Sequence, residues 1–105
     1  MGIYSPLQDA TRNESITVST TSKTISDSRN QDNPRQVVVI RNISPNAIDI
    51  ITIHQGANPA VTDIGIVLKQ YESYSDSKET GYDAFQGTIN AICATVNGVL
   101  TVFER

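Results

Sequence analysis

Hydrophobic and polar residues alternate in short segments along most of this 105-residue chain, and no segment repeats apolar residues at the helical period. A period of two is typical of β-strands, because successive side chains point to opposite faces of a sheet. Stretches rich in Gly, Pro, Asn, Asp and Ser separate the segments, as turns separate strands. The pattern predicts strands over 36–41, 48–55, 65–68, 71–75, 86–96 and 99–103.

The last two of these segments flank the dipeptide Asn97-Gly98. Asn-Gly between two alternating runs is the strongest short-range signal for a β-hairpin, because a type I′ turn needs positive φ at both central positions. Small side chains occur on both faces of the preceding segment, among them Ala91 and Ala94. The sequence therefore predicts a closing hairpin over 86–104, and it predicts that neighbouring strands approach the first of its two strands closely, so that this strand lies inside a sheet and not at its edge.

The first 34 residues differ from the rest, since they hold five large aliphatic side chains and are otherwise rich in Ser, Thr, Asn, Asp and Gln. Such a segment buries too little apolar surface to offset the entropy of its own ordering. Weak alternation around Ile16, Val18 and Ile25 still indicates an extended backbone. We therefore predict an extended N-terminal arm over 1–34 and a core over 35–105, with these three side chains docking on a partner, either in apolar grooves or as an added strand.

The composition supports the sheet prediction. The chain has 13 Ile and 9 Val against 3 Leu, and β-branched side chains favour pleated sheet. One domain of about seven short strands covers its apolar faces most simply as a sandwich. The predicted fold is therefore a single all-β domain, an antiparallel, jelly-roll-like β-sandwich.

The charge, the hydropathy and the cysteine content show which classes of partner and of cross-link are not expected. The net charge is −3, and the eight basic residues are scattered, so nucleic acid is not an expected partner. No apolar stretch approaches the roughly 20 residues needed to span a bilayer, and no secretory signal is recognisable, so no membrane partner is expected. The single cysteine, Cys93, excludes an internal disulfide framework.

The residues that carry catalysis or bind metals are sparse. His54 is the only histidine, so a catalytic triad or a histidine-rich metal site has little to be built from. Cys93 lies in an alternating segment with small neighbours, which is typical of a buried, inert thiol. We expect no enzyme activity, no cofactor and no metal site.

Tyrosines are the remaining candidates for recognition. Tyr71, Tyr74 and Tyr82 flank a polar segment in the second half of the chain. An exposed tyrosine suits binding of protein or sugar because it offers a rigid apolar face with a polar tip. The same side chains are equally suited to capping the ends of a sandwich core, and the sequence leaves both interpretations open.

The order of several motifs resembles a small β-sandwich module that recurs in virion proteins of tailed phages. The matching motifs, over about 70 residues, are RQVVVIRNIS at 35–44, ITIHQG at 51–56, GIVL at 65–68, GTINAI at 87–92 and LTVFE at 100–104. The turn after GIVL often carries Pro-Gly in such modules, and here it reads Lys69-Gln70. Modules of this kind occur as capsid decoration (cement) proteins and as parts of tails and fibres.

The resemblance implies a virion structural protein, made in the host cytoplasm, that stabilises the head by bridging neighbouring subunits. Its expected partners are the major capsid protein or other virion proteins, and its expected state is a homo-oligomer, with a trimer favoured. The alternative is a receptor- or glycan-binding module of a tail fibre or spike, in which the three tyrosines would make the contacts.

Overall fold

A computed structural model describes residues 11–78 and 84–105, which form eight β-strands. In chain order they are β1 (Arg12–Val18), β2 (Lys23–Ser26), β3 (Val37–Asn42), β4 (Ile51–Gln55), β5 (Ile66–Leu68), β6 (Ser73–Ser77), β7 (Ile89–Cys93) and β8 (Gly98–Glu104). The predicted all-β class is confirmed, with eight strands instead of about seven. In this part of the chain, no helix is long and apolar enough to cross a membrane.

The strands form two four-stranded antiparallel sheets, with orders β1-β8-β3-β6 and β2-β7-β4-β5. The pairs β1–β8, β2–β7, β3–β6 and β4–β5 show that the chain is one long antiparallel hairpin, closed at β4–β5 and rolled up on itself. Rolling brings β3 against β8 in one sheet and β4 against β7 in the other. This is a jelly-roll order, and the predicted jelly-roll-like sandwich is confirmed.

The core lies between the two sheets and is built from alternate residues of each strand. In β8, burial alternates along all seven residues, so that Leu100 and Val102 face the opposite sheet. Ile and Val fill most of the remaining inward positions, because stiff branched side chains pack well on a pleated surface. The buried core cluster consists of Val18, Ile25, Val38, Ile40, Ile51, Ile53, Leu68, Ile89, Ala91, Cys93, Leu100 and Val102.

The predicted closing hairpin is wrong in its pairing. Strands β7 and β8 lie in different sheets, so the connection at 94–97 crosses the sandwich, and neither Asn97 nor Gly98 has positive φ. Gly98 is needed for a close approach: a Cβ there would lie 2.5 Å from the Val18 carbonyl oxygen and 2.7 Å from Cys93 Sγ. The expectation that the strand within 86–96 is internal is confirmed, since β7 has a neighbour on either side, as β8 also does.

The structure also differs from the predicted division at residue 34. Strand β1 pairs with β8 over seven residues and β2 pairs with β7, so each adds an edge strand to one sheet of the same chain. The segment is poor in aliphatic residues, yet an edge strand needs only its inward side chains to be apolar. Main-chain hydrogen bonds to β8 and β7 stabilise β1 and β2 as strands, although these two strands hold few apolar side chains.

The rolled topology gives the sandwich two distinct ends. The connections at 19–22, 43–50, 69–72 and 94–97 lie at one end, which we call the loop end. The opposite end, which we call the terminal end, holds the start of β1, the ends of β6 and β8, and the connections that follow β2 and β4. The loop end carries four exposed apolar side chains, and the terminal end carries the buried pair Arg35 and Glu104.

Candidate functional site

The three aliphatic residues predicted to dock on a partner belong to this chain's own sandwich. Val18 and Ile25 are buried in the core, and the partly buried Ile16 packs against it. In this conformation their side chains are not available to a second molecule. Their inward position follows from the pairing of β1 and β2, a long-range feature that the local alternation does not contain.

The two candidate tyrosines that the structure describes, Tyr71 and Tyr74, lie in different environments. Tyr71 is exposed at the loop end, whereas Tyr74 packs against the core and accepts a hydrogen bond from Gln55 Nε2 of the opposite sheet. Burial raises the pKa of the Tyr74 hydroxyl, and the neighbouring Asp76 carboxylate raises it further. Tyr82 lies outside the described residues. Tyr74 therefore joins the two sheets, and of these two described tyrosines only Tyr71 is exposed for recognition.

His54 and Cys93 occupy separate environments. His54 lies on the outer face of β4, opposite Asn90 of β7, and Cys93 is buried in the core. Within 11–78 and 84–105, no group of three or more His, Cys, Asp or Glu side chains is placed to hold a metal ion.

The loop end carries four of the seven large hydrophobic side chains that are exposed in the described chain: Ile43, Ile48, Tyr71 and Val96. Ile48 and Val96 are 69% and 71% exposed, although β-branched apolar residues usually lie in cores. An apolar group of this kind on the surface is typical of an interaction site. The remaining three, Val61, Ile64 and Val67, lie in or next to the β4–β5 connection.

Hydrogen bonds connect the loops that carry these four side chains. Thr95 Oγ1 donates to Asp49 Oδ1. Ile48 precedes Asp49 and Val96 follows Thr95, so this bond joins the two connections on which Ile48 and Val96 lie. On the other side, the Tyr71 backbone N–H donates to the carbonyl of Asn42, which precedes Ile43. The guanidinium of Arg41 lies 5.9 Å from the centre of the Tyr71 ring, within the range of a cation–π contact.

A buried amide holds these loops in place. Asn42 Nδ2 donates to the carbonyls of Asp49 and Leu68 at 2.8 and 2.9 Å, and Asn42 Oδ1 accepts from the Ser44 N–H at 3.0 Å. One side chain thus ties the β3–β4 connection to the end of β5. Because an unpaired buried amide is costly, this arrangement favours one loop conformation and so pre-organises the surface above it.

The terminal end is built around a buried carboxylate, Glu104, at the end of β8. Its Oε2 accepts from Arg35 Nε at 3.0 Å and from Ser26 Oγ at 2.7 Å, and its Oε1 accepts from Arg12 Nη1 at 2.7 Å. A third guanidinium, that of Arg29, lies 3.8 Å from Oε2. The cluster joins β1, β2, β8 and the β2–β3 connection, and so links the two sheets at this end.

Arg35 is itself fully buried and uses all five of its N–H donors. Besides the bond to Glu104, it donates to Ser26 Oγ and to the carbonyls of Asp27, Phe85 and Gly87. Five is the complete donor set of a guanidinium, so this buried charge is fully satisfied. The cluster around Glu104 therefore stabilises the fold by linking the two sheets, and Arg35 has no N–H donor left for a ligand.

The cluster around Glu104 predicts that the folded protein loses stability in acid. Burial by itself would raise the pKa of the Glu104 carboxyl, but hydrogen bonds from Ser26 and Arg35 and the charges of Arg12 and Arg35 outweigh it, and the pKa is lowered from its usual 4.5. A lowered folded-state pKa contributes stability that is present above the usual value and is lost as the pH falls through the folded value.

We therefore expect the melting temperature to fall as the pH is lowered from 4.5. We also expect the carboxyl carbon of Glu104, followed by NMR in the folded protein, to titrate below 4.5. A midpoint at or above that value would contradict a carboxylate held ionised by its arginines.

Sequence reasoning missed both ends of the molecule. Ile48 was assigned to a strand over 48–55, whereas β4 begins at Ile51. The two adjacent apolar residues Ile50-Ile51 break the alternation there, and that change of phase was the one signal that Ile48 lies outside the strand. Arg35 and Glu104, which flank apolar strands, carried no local sign of their pairing, because 69 residues separate them.

Comparisons of the chain with models of protein families, with curated protein sequences and with solved structures found no match. The functional proposal therefore rests on this chain's own residues and on the resemblance of its motifs.

Proposed function

We propose that the protein is a structural component of a tailed-phage virion, most simply a capsid decoration protein that docks on the head through its loop end. The motif resemblance supports the virion setting. The eight-stranded jelly roll is an architecture used by viral capsid and lectin domains, which is an analogy of fold and carries no function by itself.

One observation carries the docking part of the proposal: Ile43, Ile48, Tyr71 and Val96 are exposed on loops that hydrogen bonds of the Asn42 and Thr95 side chains hold in place. A surface that is already ordered loses little conformational entropy on binding, so its apolar contacts contribute more fully to affinity. An aromatic residue among aliphatic residues is the composition expected at the centre of a protein interface.

The proposed assembly is a homo-oligomer, with a trimer favoured, that bridges neighbouring capsid subunits. Closed cyclic symmetry is the rule for soluble homo-oligomers, and three copies match a local three-fold position on a capsid. In this arrangement the loop end faces the major capsid protein.

Purified particles of the phage that encodes the chain provide the first test. We expect mass spectrometry to find the protein in many copies per particle, and gold-labelled antibody to mark the head. Absence of the protein from purified particles would overturn the virion proposal. A label confined to the tail would move the protein to a tail or fibre position.

The docking surface is tested with particles from a phage that lacks the gene, to which purified protein is added back. Ile48→Asp and Val96→Asp are each expected to weaken co-sedimentation with these particles about tenfold or more, because a charge would be buried against an apolar partner. The matched control is Ile64→Asp, an equally exposed isoleucine away from the loop end, which should bind as the wild type does.

Equal binding by Ile48→Asp, Val96→Asp and the wild type would show that the loop end is not the docking surface. The alternative function, receptor or glycan binding, is favoured by the exposure of Tyr71 alone. A Tyr71→Ala variant that stays on the particle but abolishes attachment to cells would support that alternative.

A further inference from the structure

A basic recess opens at the terminal end, between the β2–β3 connection and the segment around residue 85. It has a volume of about 440 Å³, and Arg29, Arg35 and Lys78 are among its lining residues, whereas no Asp or Glu of the described chain lines it. Pro34 and Ala84 add apolar surface to its wall. The volume lies within the range of roughly 300–1,000 Å³ that is usual for ligand pockets.

The cations that meet at Glu104 outnumber the carboxylates with which they pair. The guanidinium groups of Arg12, Arg29 and Arg35 all lie within 4.0 Å of Glu104, and Arg12 also lies 3.2 Å from Glu14. Three cations therefore share two carboxylates among these residues. Lys78 adds a further positive charge at the recess, in a chain whose net charge is −3. Partly enclosed, low-dielectric walls strengthen the resulting field toward an anion.

Of the three cations that line the recess, Arg29 and Lys78 have donors to offer a ligand. Arg35 uses all five on its own neighbours, whereas Arg29 makes one long hydrogen bond, from Nη1 to the Asn33 carbonyl at 3.4 Å, and lies 3.8 Å from Glu104. Lys78 lines the recess and is exposed. Arg35 thus supplies charge, and Arg29 and Lys78 supply contacts.

The walls of the recess are fixed by Gln86. Its side chain accepts from the Arg35 N–H at 2.6 Å and donates to the carbonyls of Arg35 and Ala84 at 2.8 and 2.7 Å. Its own carbonyl accepts from the Arg29 N–H at 2.7 Å. The two segments that form the recess are therefore joined before any ligand arrives, so binding needs little reorganisation.

We propose that this recess binds an oxyanion, a carboxylate or a phosphate carried on a small organic body, with Arg29 and Lys78 as the contacting groups. A guanidinium presents paired donors that match the two oxygens of such a group, and an ammonium adds a point charge. The apolar wall at Pro34 and Ala84 would contact the body that carries the anion. This site is at the opposite end from the proposed docking surface and does not depend on it.

The test uses the full chain with two probes, glutarate for the carboxylate and inorganic phosphate for the phosphate, titrated at constant ionic strength and followed by NMR. We expect saturable shifts of the Arg29 side chain and of the Gln86 and Ala84 amides with one or both probes. Saturation by glutarate alone identifies a carboxylate site, and saturation by phosphate alone identifies a phosphate site.

Arg29→Gln and Lys78→Met are each expected to weaken binding about tenfold or more, the loss that follows removal of one charged hydrogen bond. The control is Lys69→Met, which removes an exposed lysine at the loop end and should leave the affinity unchanged. The proposal is overturned if neither probe saturates, or if Lys69→Met weakens binding as much as Lys78→Met. Lys78 is exposed, so its variant reports on binding even where Arg29→Gln affects folding.

Discussion

Glu104→Gln is expected to lower the free energy of unfolding by about 3–5 kcal/mol, because it removes the one carboxylate that compensates a fully buried arginine. The exposed fraction of Glu104 is 2% and that of Arg35 is 1%, so water does not replace the lost partner. Glutamine has nearly the same shape and keeps one acceptor, and the change is therefore in charge more than in packing. A loss of this size is a large part of the stability of a domain of this length.

The measurement is urea unfolding at neutral pH, followed by fluorescence or circular dichroism. Glu14→Gln is the matched control, since Glu14 also pairs with Arg12, at 3.2 Å, but its side chain is 52% exposed. An exposed pair contributes at most about 1 kcal/mol, so the control should unfold close to the wild type. Equal effects of the two substitutions would show that the buried cluster does not hold the terminal end together.

Deletion of residues 2–26 is expected to abolish cooperative folding, which is the second large effect. The deletion removes an edge strand from each sheet, two core side chains, Val18 and Ile25, and the Arg12 contact to Glu104. It also exposes the long edges of β8 and β7, which the structure keeps inside their sheets. Unpaired internal edges favour aggregation, so the truncated chain should be largely insoluble or molten.

The readout is the dispersion of the amide NMR spectrum and the presence of a thermal transition. The control keeps β1 and changes only its outward side chains, Asn13→Ala with Ser15→Ala, for which we expect a change within about 0.5 kcal/mol. A truncated chain with a dispersed spectrum and a transition like that of the wild type would support the sequence prediction of a separate arm over 1–34 and a core over 35–105. It would contradict the pairing of β1 with β8.

The strands rich in Val and Ile were predictable because their signal is local. Alternation located β3, β5 and β8 to within one or two residues, since each has inward apolar positions flanked by turn residues. Strands β1 and β2 gave a weaker signal, because they hold few aliphatic residues. What stabilises them is a partner strand far away in sequence, 80–92 residues for β1 and 63–68 residues for β2, which composition does not record.

Asn97-Gly98 shows how a strong local signal can mislead. The dipeptide favours a tight hairpin, but β7 and β8 belong to opposite sheets, and the connection between them crosses the sandwich. Gly98 is required for a different reason, the close approach of Val18 and Cys93, which depends on how β1 packs. A glycine needed for space and a glycine needed for positive φ cannot be told apart in a sequence.

By itself the sequence determined the all-β class, the sandwich and most of the strand positions, since these follow from side-chain period and from β-branched composition. It also supplied the virion hypothesis, through motifs whose test is still to be made. The tertiary structure decided the strand order, the incorporation of residues 12–26 into both sheets and the distinct chemistry of the two ends. Each of these depends on contacts between residues far apart in the chain, as in the approach of Arg35 to Glu104, and such contacts exist only once the hairpin has rolled up.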